Sequence, residues 1–153
     1  MDENAVRCIQ SVGRRWGLRY IALFGSRAEG RASPHSDYDI AIKAGRDLDL
    51  VERGLLLGDL EECVEGEVDM VLIDDWDPII AWEALSKRVL IYSCGDECTK
   101  EFYEDLAKAL DEVCDLEPVI ELFRRETRNA FARIISARSE ARRSIEKLRD
   151  IAT

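Results

Sequence analysis

The stretch Gly25-Ser26-Arg27-Ala28-Glu29-Gly30-Arg31-Ala32-Ser33-Pro34-His35-Ser36-Asp37-Tyr38-Asp39 holds residue types that handle phosphates and divalent cations. Glycine lets a backbone approach a ligand closely. The N–H groups at a helix start, with the Ser26 hydroxyl beside them, suit a phosphate. Asp37 and Asp39 stand two apart where an apolar strand begins. Side chains alternate along a strand, so both carboxylates project from one face. Adjacent carboxylates repel and shift one another's pKa unless a cation lies between them. Oxygen ligands of this kind suit Mg²⁺, which keeps some waters and takes phosphate oxygens as further ligands. Asp69 opens another apolar stretch, Val68-Asp69-Met70-Val71-Leu72-Ile73. If that stretch lies beside the first, the three carboxylates form a site for two Mg²⁺ ions of the kind used in two-metal phosphoryl transfer.

Each feature alone has a plainer explanation. A Gly-Ser pair after a strand is usually a turn, and an Asp-x-Asp is usually a solvated strand edge. Their combination depends on the elements around them. Val6, Ile9, Val12 and Trp16 recur at helical spacing, so residues 3–16 are expected to form an amphipathic helix. Tyr20–Phe24 reads as a buried strand and Tyr38–Lys43 as a second. A leucine-rich helix is expected over 48–64 and a third strand over 68–73. Asp77-Pro78 starts a helix to about Arg88, with Asp at the cap and Pro at N1, and 89–93 is a fourth strand. The alternation over 1–93 argues for an α/β layer structure. Beyond Gly25 to Asp39, the sequence is expected to divide into a domain at 1–95 and a helical hairpin at 96–153, with Pro118 opening the second helix.

Composition narrows the function classes. The chain has 153 residues, 46% hydrophobic and 35% charged, with 22 basic against 32 acidic residues and a net charge of −10. An acidic chain lacks the electrostatic footprint of a nucleic-acid binder, so no direct nucleic-acid binding is expected. No apolar run is long enough to cross a membrane, and the opening MDENAVRCIQ has no apolar stretch, so the expected location is cytoplasmic. Five cysteines at irregular spacing, with a single histidine, give no zinc pattern and are expected to be reduced thiols.

The order Gly25-Ser26, ten residues, Asp37-x-Asp39, followed by a Val68-Asp69 strand, resembles the DNA polymerase beta-like nucleotidyltransferase superfamily. The longer run from Gly25 to Ile42 resembles its minimal nucleotidyltransferase branch. The resemblance covers about residues 5–93. It implies a nucleotidyltransferase fold, an α/β (α+β) arrangement with a mixed sheet of about four strands backed by helices. It also implies that Asp37, Asp39 and Asp69 are catalytic metal ligands and that Gly25 and Ser26 contact the nucleotide phosphates. Arg27 and Ser36 complete the nucleotide-binding set, Ser36 as a brace of the metal-binding strand. Many members of this branch are antitoxins paired with a HEPN-type ribonuclease toxin. They transfer AMP from ATP to a toxin tyrosine, with Mg²⁺ as cofactor. The resemblance thus implies an antitoxin acting on a HEPN-type toxin. The rivals are adenylylation of a small molecule such as an aminoglycoside, and an antitoxin that acts by binding alone. Family members often carry a basic residue where this chain has Glu29, and Arg27 and Arg31 are the candidates to supply that charge. Arg31 and His35 have three residues between them, too few for the HEPN nuclease motif, so the chain is not the toxin.

The last segment has its own pattern. Residues 117–153 hold 9 basic and 6 acidic residues, net +3, so the first 116 carry −13. Ile120, Thr127, Ile134, Ala141 and Leu148 recur every seven residues, and Phe123, Ala130, Ala137, Ser144 and Ile151 form a companion row. Such a seam packs against the preceding helix, docks a helical partner, or joins copies into an oligomer. Trp16 and Trp82 are expected in the core, and Trp76, in a polar turn, is expected at an interface.

Overall fold

The structure is a computed structural model that describes residues 1–152. Helix α1 spans Glu3–Trp16, capped by the Asp2 carboxylate, which accepts the Ala5 N–H at 2.7 Å. Strand β1 is Tyr20–Phe24, the one-turn helix α2 is Gly25–Ala28, and β2 is Tyr38–Lys43. Helix α3, Leu50–Glu61, starts two residues later than the leucine pattern suggests because Asp49 and Glu52 form a reciprocal capping box, and it also ends three residues sooner. Strand β3 is Val68–Leu72, α4 is Pro78–Ser86 with the Asp77 carboxylate capping its first turn, and β4 is Val89–Ser93. Helix α5 runs Asp96–Ala152.

The sheet order is β3-β2-β1-β4. β1 pairs antiparallel with β2 and β4, while β2 pairs parallel with β3. A parallel pair needs a crossover, and α3 supplies it. The sheet is therefore mixed, as the family resemblance implies. Alternation sends Ile21, Leu23, Ile40 and Ile42 to one face, where they meet Ile9, Val12, Leu56 and Leu60 of α1 and α3. It sends Tyr20, Ala22, Phe24 and Ala41 to the other, against Ala84, Leu85 and Phe102. Gly13 lets α1 lie on the Tyr92 ring, which a β-carbon there would overlap.

The first turns of α5 belong to this packing. Cys98, Phe102 and Ala109 are buried, and Phe102 meets Tyr20 edge to face with ring centroids 5.2 Å apart. The Tyr20 hydroxyl donates to Asp105 at 2.8 Å, and the Lys43 ammonium lies 3.2 Å from the same carboxylate. Burial, then the Asp105 bond, raises the Tyr20 pKa. One compact unit therefore runs Met1–Val113, past the expected domain edge at residue 95 and close to the shift in charge at residue 116.

Three expectations are corrected. The C-terminal hairpin is absent: α5 is one helix, and Pro118 lies inside it. Proline removes the bond to the carbonyl four residues back, here Cys114, but both residues are exposed, so water can reach the freed group. From Cys114 onward this helix falls in a second compact unit, with Phe123, Ile134, Leu148 and Ile151 exposed. Four cysteines are not free thiols. Cys8 on α1 is bonded to Cys63 beyond α3, and Cys94 to Cys98 across the turn into α5, leaving Cys114 free and exposed. Packing of α1 on α3 brings the first pair together, and the four-residue offset at a helix start the second. Trp76 is not an open interface residue. Its indole N–H donates to Glu112 at 2.6 Å and Lys108 sits 4.1 Å over its ring.

Phe102 tests this docking. Phe102→Ala should lower stability by about 3–5 kcal/mol. Urea unfolding followed by circular dichroism measures the loss, and a loss under about 1 kcal/mol would mean that the start of α5 is not part of the core.

Candidate active site

Sheet register assembles the acidic cluster. In β2, Asp39 stands opposite Phe24 of β1 on one side and Asp69 of β3 on the other. Side chains of residues paired in register share a face, and Asp37 lies two residues before Asp39, so it shares that parity. All three carboxylates therefore come to one end and one face of the sheet, the face that carries Ala41 and α4. Asp39 is half-buried, while Asp37 and Asp69 are exposed. Among the described residues none of the three has a basic partner or a hydrogen-bond donor.

Their charges are felt at Asp39. Burial comes first, then Asp69, then Asp37, and together they hold its pKa above the usual carboxylate value. Among the described residues no three acidic, histidine or cysteine side chains are already gathered as a ready metal cage. Like charges with nothing between them turn apart, and the exposed Asp37 and Asp69 are free to do so. The donor set still fits a hard divalent cation: oxygen ligands from adjacent strands, with negative charge that nothing among the described residues offsets.

The turn before α2 closes on this cluster. Gly25 has φ of 70°, a left-handed conformation that favours glycine. A β-carbon at this position would overlap the Asp39 carboxylate. Phe24, at the cap position of α2, offers no side-chain acceptor, so the first N–H groups of the turn are not capped by their own helix. The Ser26 carbonyl accepts the Arg31 N–H at 2.9 Å, and the Ser26 hydroxyl has no partner among the described residues.

Arg27 and Ser36 come together as a brace. The Arg27 guanidinium donates twice to the Ser36 carbonyl, at 3.1 and 2.7 Å, and lies 3.8 Å over the Tyr38 ring. The Ser36 hydroxyl accepts the Ser33 N–H at 2.9 Å. The loop that delivers Asp37 is thereby tied to α2, which delivers Gly25 and Ser26. Glu29 does not present a bare charge. Its carboxylate pairs with Arg31 and lies 3.4 Å from Lys87, and the Arg31 hydrogen bond is the largest of the effects that lower its pKa. His35 is exposed. Sequence reading did not single out Tyr38 or Lys87: the first supports Arg27 from inside a strand pattern, and the second arrives from the far end of α4 with no local signal.

Comparisons with known proteins follow the same lines. The family model "Polymerase beta, Nucleotidyltransferase" matches residues 8–97. No curated protein matches the sequence. Among solved structures, the fold is similar to a chain of a toxin–antitoxin complex with AMP-PNP, at 20% identity and a TM-score of 0.63, covering 76% of this chain and 95% of that one. It is also similar to a chain of the tri-AMPylated Shewanella oneidensis HEPN toxin in complex with MNT antitoxin, at 19% identity and a TM-score of 0.61, covering 79% and 97%. A third is spectinomycin adenyltransferase from Enterococcus faecialis with ATP and spectinomycin, at 13% identity and a TM-score of 0.50, covering 75% and 66%. At these identities the likeness is one of fold.

The raised Asp39 pKa has a stability consequence. The folded protein binds this proton more tightly than the unfolded chain does. A folding penalty therefore grows as pH rises from the unfolded value of about 3.9 through the folded one, and is complete at neutral pH. In metal-free buffer, Asp39→Asn should raise Tm at pH 7, and the gain should vanish below about pH 3.9. Calorimetry across that range checks it; a lower Tm for the variant at pH 7 would mean that the Asp39 charge is offset in the fold.

Proposed function

Because the chain belongs to the polymerase beta nucleotidyltransferase family, we propose that it transfers AMP from ATP to a hydroxyl group, the acceptor being a tyrosine of a HEPN-type toxin that it neutralises in the cytoplasm. The observation that carries this reading is the uncompensated trio Asp37, Asp39 and Asp69 on one sheet face, with Gly25 closed against Asp39. Asp37, Asp39 and Asp69 would hold Mg²⁺, which supplies charge neutralisation at the triphosphate and lowers the pKa of the attacking hydroxyl.

The remaining steps belong to the chain. The Gly25-Ser26 turn takes the phosphates with its N–H groups and the Ser26 hydroxyl. Arg27 and Ser36 fix that turn relative to Asp37 and hold the geometry in which the acceptor faces the α-phosphorus. The tyrosine oxygen forms a bond to the α-phosphorus, the bond to the bridging oxygen of the β-phosphate breaks, and pyrophosphate leaves. Asp69 orients the acceptor and takes its proton. Lys87 and Arg31 keep Glu29 paired, so this acid does not repel the nucleotide.

The protein acceptor is favoured over a small one by coverage. This chain spans 95% and 97% of the two toxin–antitoxin chains but 66% of the spectinomycin enzyme. No helix among the described residues is long and apolar enough to cross a membrane.

The test is incubation of the chain with labelled ATP, magnesium and the product of the neighbouring gene. A mass gain of AMP on a tyrosine is expected. Asp37→Ala or Asp39→Ala should cut the rate on the order of 10²–10³-fold. Magnesium should raise the Tm of the native chain and leave that of a double variant, Asp37→Ala with Asp39→Ala, unchanged. Label on an aminoglycoside instead would favour the small-molecule reading, and neutralisation that survives the double substitution would favour binding alone.

A further inference from the structure

The apolar seam in the later part of α5 is exposed at most of its described positions. Phe123 is 72% exposed, Ile134 64%, Leu148 66% and Ile151 81%. The hairpin expected to cover them does not form. The toxin–antitoxin neighbours are covered almost entirely while about a quarter of this chain is left over. The Cys114–Thr153 unit has about that size.

Charge beside the seam says what covers it. In a two-stranded coiled coil, residues flanking the apolar rows face each other across the contact and set orientation and register. The residues immediately before the Ile120 row include Glu126, Arg133, Glu140 and Lys147. Lay two copies antiparallel with Ile134 opposite Ala137 of the second copy. Ile120 then meets Ile151 and Phe123 meets Leu148, so large apolar pairs close both ends. In the same register Glu126 faces Lys147 and Arg133 faces Glu140. Every one of these facing pairs is of opposite sign, and two-fold symmetry makes each pair twice.

The alternatives fail on the same residues. A shift of one heptad in one direction places Arg133 against Arg133 and Glu126 against Glu140. A shift in the other direction places Arg133 against Lys147 and Glu140 against Glu140. A parallel pair, in which each such residue faces the one five positions on, sets Arg133 against Arg138 and makes no pair of opposite charge. Like charges at these positions select against the register that creates them. The antiparallel overlap with complementary charges begins just after Pro118, where the helix loses a backbone hydrogen bond.

We propose that residues 119–151 are a self-association element that joins two copies of this chain through an antiparallel coiled coil, with Glu126–Lys147 and Arg133–Glu140 pairs fixing its register. The inference is independent of the AMP-transfer reading, since no residue of the acidic site takes part.

The test uses the full chain in sedimentation velocity. The native chain should sediment as a dimer. Glu126→Lys should weaken the dimer about tenfold, by turning two attractive pairs into repulsive ones. Adding Lys147→Glu to it should restore the native affinity. Orientation is read by crosslinking in a Cys114→Ser background. A Phe123→Cys chain mixed with a Leu148→Cys chain should form a mixed disulfide dimer on oxidation, and Phe123→Cys alone should not. A chain that stays monomeric at high micromolar concentration overturns the proposal. So does a disulfide between two Phe123→Cys chains, or a dimer indifferent to Glu126→Lys. Occupation of the seam only when a HEPN-type toxin is added would also overturn it and assign the helix to that partner.

Discussion

Mutual repulsion among three carboxylates is the constraint around which this fold is built. Parallel pairing of β2 with β3 puts Asp39 and Asp69 side by side, and Asp37, one residue before β2, adds a third charge that is felt at Asp39. Among the described residues none of them is offset by a cation, and Asp39 is half-buried, so the arrangement opposes folding at neutral pH. It persists because apolar packing on both faces of the sheet leaves the strands no other register. A slip of β2 by one residue would drive Ile40 and Ile42 from the α1–α3 face into the opposite face, where the small Ala41 fits against Ala84, Leu85 and Phe102. The core thus holds in place a cluster that would not assemble by itself, as expected where function rather than stability sets the residues.

The same logic explains the loop between β1 and β2. A segment rich in Gly, Ser and Pro has little to order it, yet Asp37 and Gly25 must keep a fixed relation. Arg27 supplies that relation by bonding the Ser36 carbonyl while lying on Tyr38. Tyr38 in turn is buried by the core face. Glu29, an acid close to the Gly25-Ser26 turn, is satisfied by Arg31 and by Lys87 from α4. Arg31 is therefore committed to Glu29, and Arg27 to the loop. The turn's own N–H groups and the acidic trio are left as the parts free to meet a ligand.

Much of this was legible in the sequence because it is local or periodic. The strands at 20–24 and 38–43 follow from short apolar runs, the Asp77-Pro78 start from capping chemistry, and the shared face of Asp37 and Asp39 from alternation. The strand order and the parallel pairing of β2 with β3 were not legible in the sequence, and only the family resemblance pointed to Asp69 as the third carboxylate. What depends on partners distant in sequence stayed hidden: Lys87 beside Glu29, Glu112 under Trp76, and Cys63 against Cys8. Trp16 is half-buried, not core, because its indole N–H reaches Asp59. Pro118 was misleading for a different reason. Proline is a strong stop where its lost hydrogen bond is buried and a weak one where water can replace it, and sequence alone does not show which applies.

The two compact units solve opposite problems of charge. In the first, like charges are concentrated so that only a cation satisfies them, and this favours a metal-bound nucleotide over a bare one under the proposed reading. The first 116 residues carry −13, so a free polyphosphate meets a repulsive field until its charge is reduced. In the second, opposite charges alternate along a helix so that no ion is required, only another surface bearing the same alternation. A helix with Glu126, Arg133, Glu140 and Lys147 in succession beside its seam is complementary to itself in one antiparallel register and hostile to its neighbours. An acidic cluster is specific for what it lacks, and an alternating one for a copy of what it has. That difference lets one chain, acidic overall, carry an uncompensated acidic cluster in its first unit and an alternating row of charge in its second.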